Sequence, residues 1–252
     1  MITLRRGATY VGVVAFVIVV WVALTTFGSI RPFLLASPSA VLSSLGRLMA
    51  TPERILQPIG VTLAETGIAF AIATGAGVIL GVVVGSSKLL VAAYEPMVTT
   101  LSALPLIILY PVLAATLGVG SPSKVAIGAL YGFFPIAIST MRAVARVDTT
   151  LLTASRTMGG RGLGLVGSVM IPAISPAVIA AMRVAMSLSL VTIIAAEFIS
   201  GAAGVGYQLA AASQGLDTPG LFSWVLIVVV LTIVVNILFA LITTALRKGI
   251  ER

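Results

Sequence analysis

The sequence contains no cysteine and no histidine. A disulfide framework, a thiolate nucleophile and a thiolate metal site are therefore excluded, and no imidazole can serve as general base or metal ligand. Charge is scarce as well: 9% of the 252 residues are charged, and only 7 are acidic. What fills the chain instead is apolar, at 59% hydrophobic residues and a mean hydropathy of +1.20. No soluble domain hides that much apolar surface, so the fold class is all-α, a polytopic membrane protein. The 15 Lys+Arg against 7 Asp+Glu give a net charge of +8. In a membrane chain this excess reports orientation and contact with anionic lipid rather than nucleic acid.

Apolar runs predict about six transmembrane helices in a single domain, 1–252. Gly7 to Ile30 is long enough to span and longer than a signal-peptide core. Ser37-Pro38 offers a helix start for a short amphipathic segment carrying Val41, Leu45 and Leu48. A second span runs from about Val61 to Gly85, where Ala73, Gly77, Gly81 and Gly85 form one small-residue face suited to close helix packing. Pro96 to Ser123 is uncharged but interrupted by Pro105 and Pro111, which predicts a kinked or broken span. A fourth span covers Ser121 to about Met141, a fifth about Ser175 to Ser200, and a sixth lies within Thr218 to Leu246. Gly201 to Gly220 reads as a glycine-rich connector. With both termini inside, eleven basic residues face inward and four (Arg31, Arg47, Arg54 and Lys124) face outward, as the positive-inside rule requires. Arg183 then lies close enough to the inner end of its helix to snorkel.

Thr153 to Pro172, TASRTMGGRGLGLVGSVMIP, is the one long segment that does not read as a span. Glycine and proline crowd it, and each costs helix stability. Its spacing resembles the cytoplasmic loop of ATP-binding-cassette importer permeases: EAA, three residues, G, nine residues, I-x-L-P. Here the triplet is Thr153-Ala154-Ser155, the glycine is Gly159, and Val169-Met170-Ile171-Pro172 follows. Thr153 stands where the family has glutamate, and Ser155 where it has its second alanine. The similarity extends over about Ser37 to Gly206. SPSAVLSSL, Glu95-Pro96, LGVGSPSK, FFPI, Arg146-Val147-Asp148 and AEFISGAAGVGY resemble the nitrate, sulfonate, taurine and bicarbonate permease group. Glu65 departs from that group's usual arginine, and Ile108 from its usual alanine.

The resemblance implies a type I, MetI-like permease fold with its core over about 60–245 and a cytoplasmic coupling loop over 148–175. It implies a bacterial inner-membrane subunit that forms the solute path with a second permease copy. It also implies an extracytoplasmic solute-binding protein and a cytoplasmic ATPase docking at Thr153, Ala154, Ser155, Arg156, Met158, Gly159 and Pro172. No P-loop pattern occurs, so ATP binds the partner and the chain is expected to hold no cofactor and no metal and to be no enzyme itself. The implied solute is a small anion such as a sulfonate, taurine or nitrate, with a neutral vitamin precursor as the alternative. An ion-coupled secondary transporter would keep ionisable groups at mid-membrane, whereas Glu65 and Glu197 fall near span ends. An intramembrane enzyme would have only Ser/Lys or carboxylate chemistry. Candidate pathway or gate residues are Pro105, Pro111, Ser189, Thr192 and Glu197. Packing roles stand beside these, since hydroxyls in helices commonly bond backbone carbonyls and Glu197 can equally anchor an interface.

Overall fold

The computed structural model describes residues 2–28, 31, 33–148, 150, 153, 155, 157, 164 and 166–250. Regular structure among them is helical, without strands. Hydrocarbon offers backbone groups no partner, and long apolar runs meet that by closing each N–H and C=O within a helix. The helices are α1 (Ile2–Thr26), α2 (Pro38–Met49), α3 (Glu53–Gly85), α4 (Lys88–Ser102), α5 (Tyr110–Leu117), α6 (Ser121–Ala145), α7 (Ile171–Ser200), α8 (Val205–Gln214) and α9 (Thr218–Ile250). By length and apolarity α3, α6, α7 and α9 can each cross a membrane. Lys88–Ser102 and Leu106–Leu117 are apolar enough to make a fifth when taken together, and they meet at a bend of 77°. The first expected span coincides with α1, whose described apolar part is Ala15–Thr26.

Several boundaries differ from the expected ones, for local reasons. α3 begins at Glu53 rather than near Val61, because the helix continues past the apolar region through polar Arg54 and Gln57 and tolerates Pro58. α4 begins at Lys88 and carries Glu95, whose carboxylate is 2.6 Å from Arg142 Nε on α6. α7 begins at Ile171 rather than Ser175, after a π-helical turn at Val166–Met170. Its Pro176 has no N–H for the Pro172 carbonyl, and the Ser175 hydroxyl donates to that carbonyl instead, at 2.9 Å. The connector after α7 is not simply a loop, since α8 occupies half of it.

The core sits around α6. A Cβ at Gly77 would stand 2.9 Å from Ile136, and one at Gly85 would stand 2.6 Å from the Met141 carbonyl. Both glycines therefore let α3 and α6 touch backbone to backbone, and the rising pairs show the helices running parallel. On its other side α6 presents Gly128, whose added Cβ would stand 2.9 Å from Ile193 of α7. Ile136, Ala137, Met141, Ala185, Leu190 and Ile193 in this seam are fully buried. α7 is tied in turn to α9. The Arg183 guanidinium donates to Thr243 Oγ1 at 2.7 Å, Thr244 Oγ1 at 3.0 Å and the Ala240 carbonyl at 3.2 Å. Arg183 thus holds α9 and does more than snorkel. Val230, Ile233, Ile237 and Leu241 on α9 stay exposed, as an apolar bilayer-facing surface requires.

α2 forms as its sequence predicts. Pro38 occupies the first turn, and the Ser37 hydroxyl accepts from the Ala40 N–H at 3.3 Å. Its buried face, Val41 and Ser44, lies on α9, where the Ser223 hydroxyl donates to the Val41 carbonyl. α1 joins the bundle through Trp21, which donates to the Ala36 carbonyl at 3.0 Å and stacks on Phe222.

Candidate functional site

Three regions hold the residues singled out by sequence. The first is the loop between α6 and α7. Ala154, Arg156, Met158 and Gly159 lie outside the described residues, whereas Thr153, Ser155 and Thr157 are helical. Thr153 is exposed and Ser155 half-buried. Ahead of them Asp148 accepts from the Thr150 N–H at 2.8 Å, the bond a residue at a helix entrance makes. That backbone bond holds the Asp148 carboxyl below the ordinary carboxylate range. Pro172 falls in the first turn of α7, directly after the π-helical turn.

The second region is the bend between α4 and α5. Pro105 occupies the break after α4, followed by a 3₁₀ turn at Leu106–Leu109, and Pro111 lies in the first turn of α5. A broken span must find partners for its freed backbone groups. Here the Ile107 N–H donates to the Tyr131 hydroxyl of α6 at 3.0 Å. The Ser200 hydroxyl donates to the hydroxyl of fully buried Tyr110 at 3.1 Å. A cavity of about 280 Å³ opens at the bend, lined by Ser102, Leu106, Tyr131, Phe134, Pro135 and Leu188, among others. Ser189, next to Leu188, turns the other way and donates to the Gly128 carbonyl at 3.0 Å across the α6/α7 seam. Thr192 is buried as well.

The third region is a polar cluster where α3, α6, α7 and α8 meet. Glu197, fully buried near the end of α7, accepts from Thr62 Oγ1 at 2.8 and 2.9 Å and from the Gly206 N–H at 2.8 Å. The Val205 N–H in turn donates to Thr62 Oγ1 at 3.0 Å. The carboxylate therefore caps the start of α8, where exposed N–H groups and the helix dipole both favour negative charge. Gly204 makes the cap possible: its φ is +102°, and a Cβ there would overlap the Glu197 carboxylate.

Beside this cap Lys124 Nζ lies 2.6 Å from Glu65 Oε1, to which the Ser121 hydroxyl also donates at 2.7 Å. Lys124, expected on the outer side of the membrane, is not solvated there: it is 2% exposed and Glu65 3%. Lys124 follows Pro122 in the first turn of α6, which is turned against α3, so its ammonium finds a carboxylate before it finds water. In sequence Lys124 reads only as a cation on the outer side, and nothing beside Thr62 points to Glu197. Their partners come from distant segments.

The packed helical core, the bent α4/α5 pair and the long loop between core helices α6 and α7 define a class: a polytopic helical permease. Residues 73–252 match the family described as the binding-protein-dependent transport system inner membrane component, and the chain belongs to that family. It is 23% identical over 213 residues to a putative aliphatic sulfonates transport permease protein, SsuC, of Bacillus subtilis, covering 84% of this chain and 77% of that one. It is 22% identical over 238 residues to the taurine transport system permease protein TauC of Escherichia coli, covering 92% and 86%. Among solved structures, an inward-facing MetNI methionine ABC transporter superposes with a TM-score of 0.63 at 20% identity, covering 73% of this chain and 92% of that chain. The fold is accordingly that of a MetI-like ABC importer permease.

Proposed function

We propose that the chain is the membrane subunit of an ATP-driven importer for small organic anions of the sulfonate or taurine kind. Two copies form the pathway. A separate cytoplasmic ATPase docks on the 148–175 loop and supplies the ATP site, so the permease itself needs no cofactor and no metal. A solute-binding protein delivers the anion at the opposite face, and both termini lie in the cytoplasm. The observation that carries this reading is mechanical. The loop with the importer-type spacing joins α6 to α7, the two helices whose glycine and serine contacts form the core seam. A push on the loop therefore acts on the packed centre of the bundle, and with it on the bend that Tyr131 of α6 supports. The anion preference rests on the sulfonate and taurine permeases among the relatives.

Gly159 is the residue to test. A Gly159→Asp substitution adds a Cβ and a charge at the proposed docking point. Membrane abundance should hold, because insertion depends on the apolar spans. Copurification of the ATPase and solute-stimulated ATP hydrolysis in reconstituted vesicles should both fall about tenfold or more, the scale of one lost close interface contact. Normal copurification and normal stimulated hydrolysis would remove the loop as docking element. Thr153→Glu, which restores the residue importer permeases usually have, should leave coupling intact or strengthen it. A neutral solute remains the second reading of the cargo. Ion-coupled transport is disfavoured, since the carboxylates of Glu65 and Glu197 are both engaged in helix-to-helix bonds.

A further inference from the structure

At the end of the bundle that carries Glu53 and Ser200, α3, α8, α9 and the turn before α8 enclose a crevice of about 480 Å³. That volume lies within the range of small-molecule sites, roughly 300–1,000 Å³. Its polar lining is Arg54 and Gln57 from α3 with Tyr207 and Gln208 from α8. The first two are three residues apart and so share one helix face. Among the described residues these four side chains have no hydrogen-bond or ion-pair partner. Lys124, Arg142 and Arg183, by contrast, are all engaged within the chain. Pro58, Val61 and Trp224 give the crevice an apolar wall. Arg54 is the one charged residue lining it. Glu53, the chain neighbour of Arg54, is not part of the lining, and Glu197 lies behind Gly204 with its carboxylate bonded by Thr62 and the Gly206 N–H, so it offers the crevice no acceptor.

We propose that this crevice receives a small organic anion at the mouth of the pathway. Arg54 and Gln57 take the anionic head, and Trp224, Pro58 and Val61 take the apolar body. A guanidinium presents parallel N–H groups that match two oxygens of a sulfonate or carboxylate. The Tyr207 hydroxyl and Gln208 amide can donate or accept, which suits a polar substituent on the anion. The apolar wall discriminates against inorganic ions, which bring charge without a body to bury. The proposal rests on the reading of the chain as an anion importer whose α8 end faces the binding protein. It adds to that reading a selective site on the permease itself.

The test uses the full-length permease in lipid nanodiscs. The sequence has two tryptophans, and Trp21→Phe leaves Trp224 in the crevice wall as the reporter. Ethanesulfonate is titrated at fixed ionic strength against ethyl methyl sulfone, its uncharged counterpart, and against sulfate. A saturable change in Trp224 emission with ethanesulfonate, absent with the sulfone, is expected, and sulfate should require a higher concentration. Arg54→Gln should raise the ethanesulfonate midpoint about tenfold or more, the scale of a lost charge-assisted bond. Arg54→Lys should raise it less, and Gln57→Leu should raise it without changing the net charge. Arg54 and Gln57 are exposed and partnerless, so thermal unfolding should be unchanged in each variant. The proposal fails if no saturable change occurs, if the sulfone matches ethanesulfonate, or if Arg54→Gln leaves the midpoint where it was. Loss of capture by the solute-binding protein in Arg54→Gln, with the emission response intact, would make the crevice a protein-docking surface and overturn the proposal. ATP-driven anion uptake by the complete transporter separates the two readings. Normal uptake without a crevice response sinks the crevice alone, and absence of any anion uptake sinks the importer reading.

Discussion

Lys124 and Glu65 form a buried pair 2.6 Å long, with Ser121 donating to the same carboxylate oxygen. Glu65 Oε2 has no hydrogen-bond partner, so this pair is not over-satisfied, and its worth lies in neutralising two ions that have both left water. Removing one member strands the other, at a cost of about 3–5 kcal/mol, whereas replacing both with apolar residues is close to neutral. Glu65→Leu should therefore lower the unfolding temperature markedly, and Glu65→Leu with Lys124→Met should recover most of the loss. A double variant no better than the single one would show that the pair does not act as a unit. An arginine at position 65, the residue this permease group tends to have, would face Lys124 with like charge. The neighbouring Glu197 cap makes a second demand. Gly204→Ala combines a φ of +102° with a Cβ aimed into the Glu197 carboxylate. The variant should lose about 1–3 kcal/mol from the backbone alone, read as a lower melting temperature. Glu197→Gln keeps an acceptor for the Gly206 N–H, so it should assemble normally. Full transport by Glu197→Gln would confine Glu197 to a structural role.

At the scale of elements, helix packing decides which glycines matter. Gly75 and Gly81 both lie in α3, yet a Cβ on Gly75 meets nothing within 4 Å while one on Gly81 collides with Thr140. Gly81→Leu should wedge α3 from α6 and cost at least the ~1–3 kcal/mol of ordinary overpacking. Gly75→Leu should be tolerated. Equal melting temperatures for the two would mean that α3 and α6 do not touch along this face. The α3 stripe is legible in sequence because a four-residue recurrence is a local pattern that needs no knowledge of the partner. The break at Pro105 is legible for a similar reason, since proline disrupts a helix from within. α8 is hidden because its start is capped by Glu197, on the preceding helix, and because Gly204 and Gly206, which look like loop residues, are what let that carboxylate approach. Lys124 is hidden in the same way. Nothing near it in sequence announces that Glu65 of α3 will lie beside it.

For the molecule as a whole, the helix directions fix which ends share a side of the membrane. α3 and α6 run parallel, and α7 runs against both, so the Lys88 turn and the α6–α7 loop fall at one end and α8 at the other. The proposed orientation puts the first end in the cytoplasm, where the loop would meet an ATPase and the basic residues would face anionic lipid. It puts α8, the Glu197 cap and the Arg54 crevice outside, where an arriving anion would meet them. With no cysteine in the chain, single cysteines report the sides directly. Lys88 and Ser213 are both exposed, at the start of α4 and at the end of α8. Lys88→Cys should react with an impermeant maleimide only in inverted vesicles, and Ser213→Cys only in intact cells. The two positions must also respond oppositely, because the helix directions place them at opposite ends whatever the orientation. Labelling of Lys88→Cys from outside together with Ser213→Cys from inside would invert the topology and put the crevice in the cytoplasm. Labelling of both from one side would contradict the parallel pairing of α3 with α6.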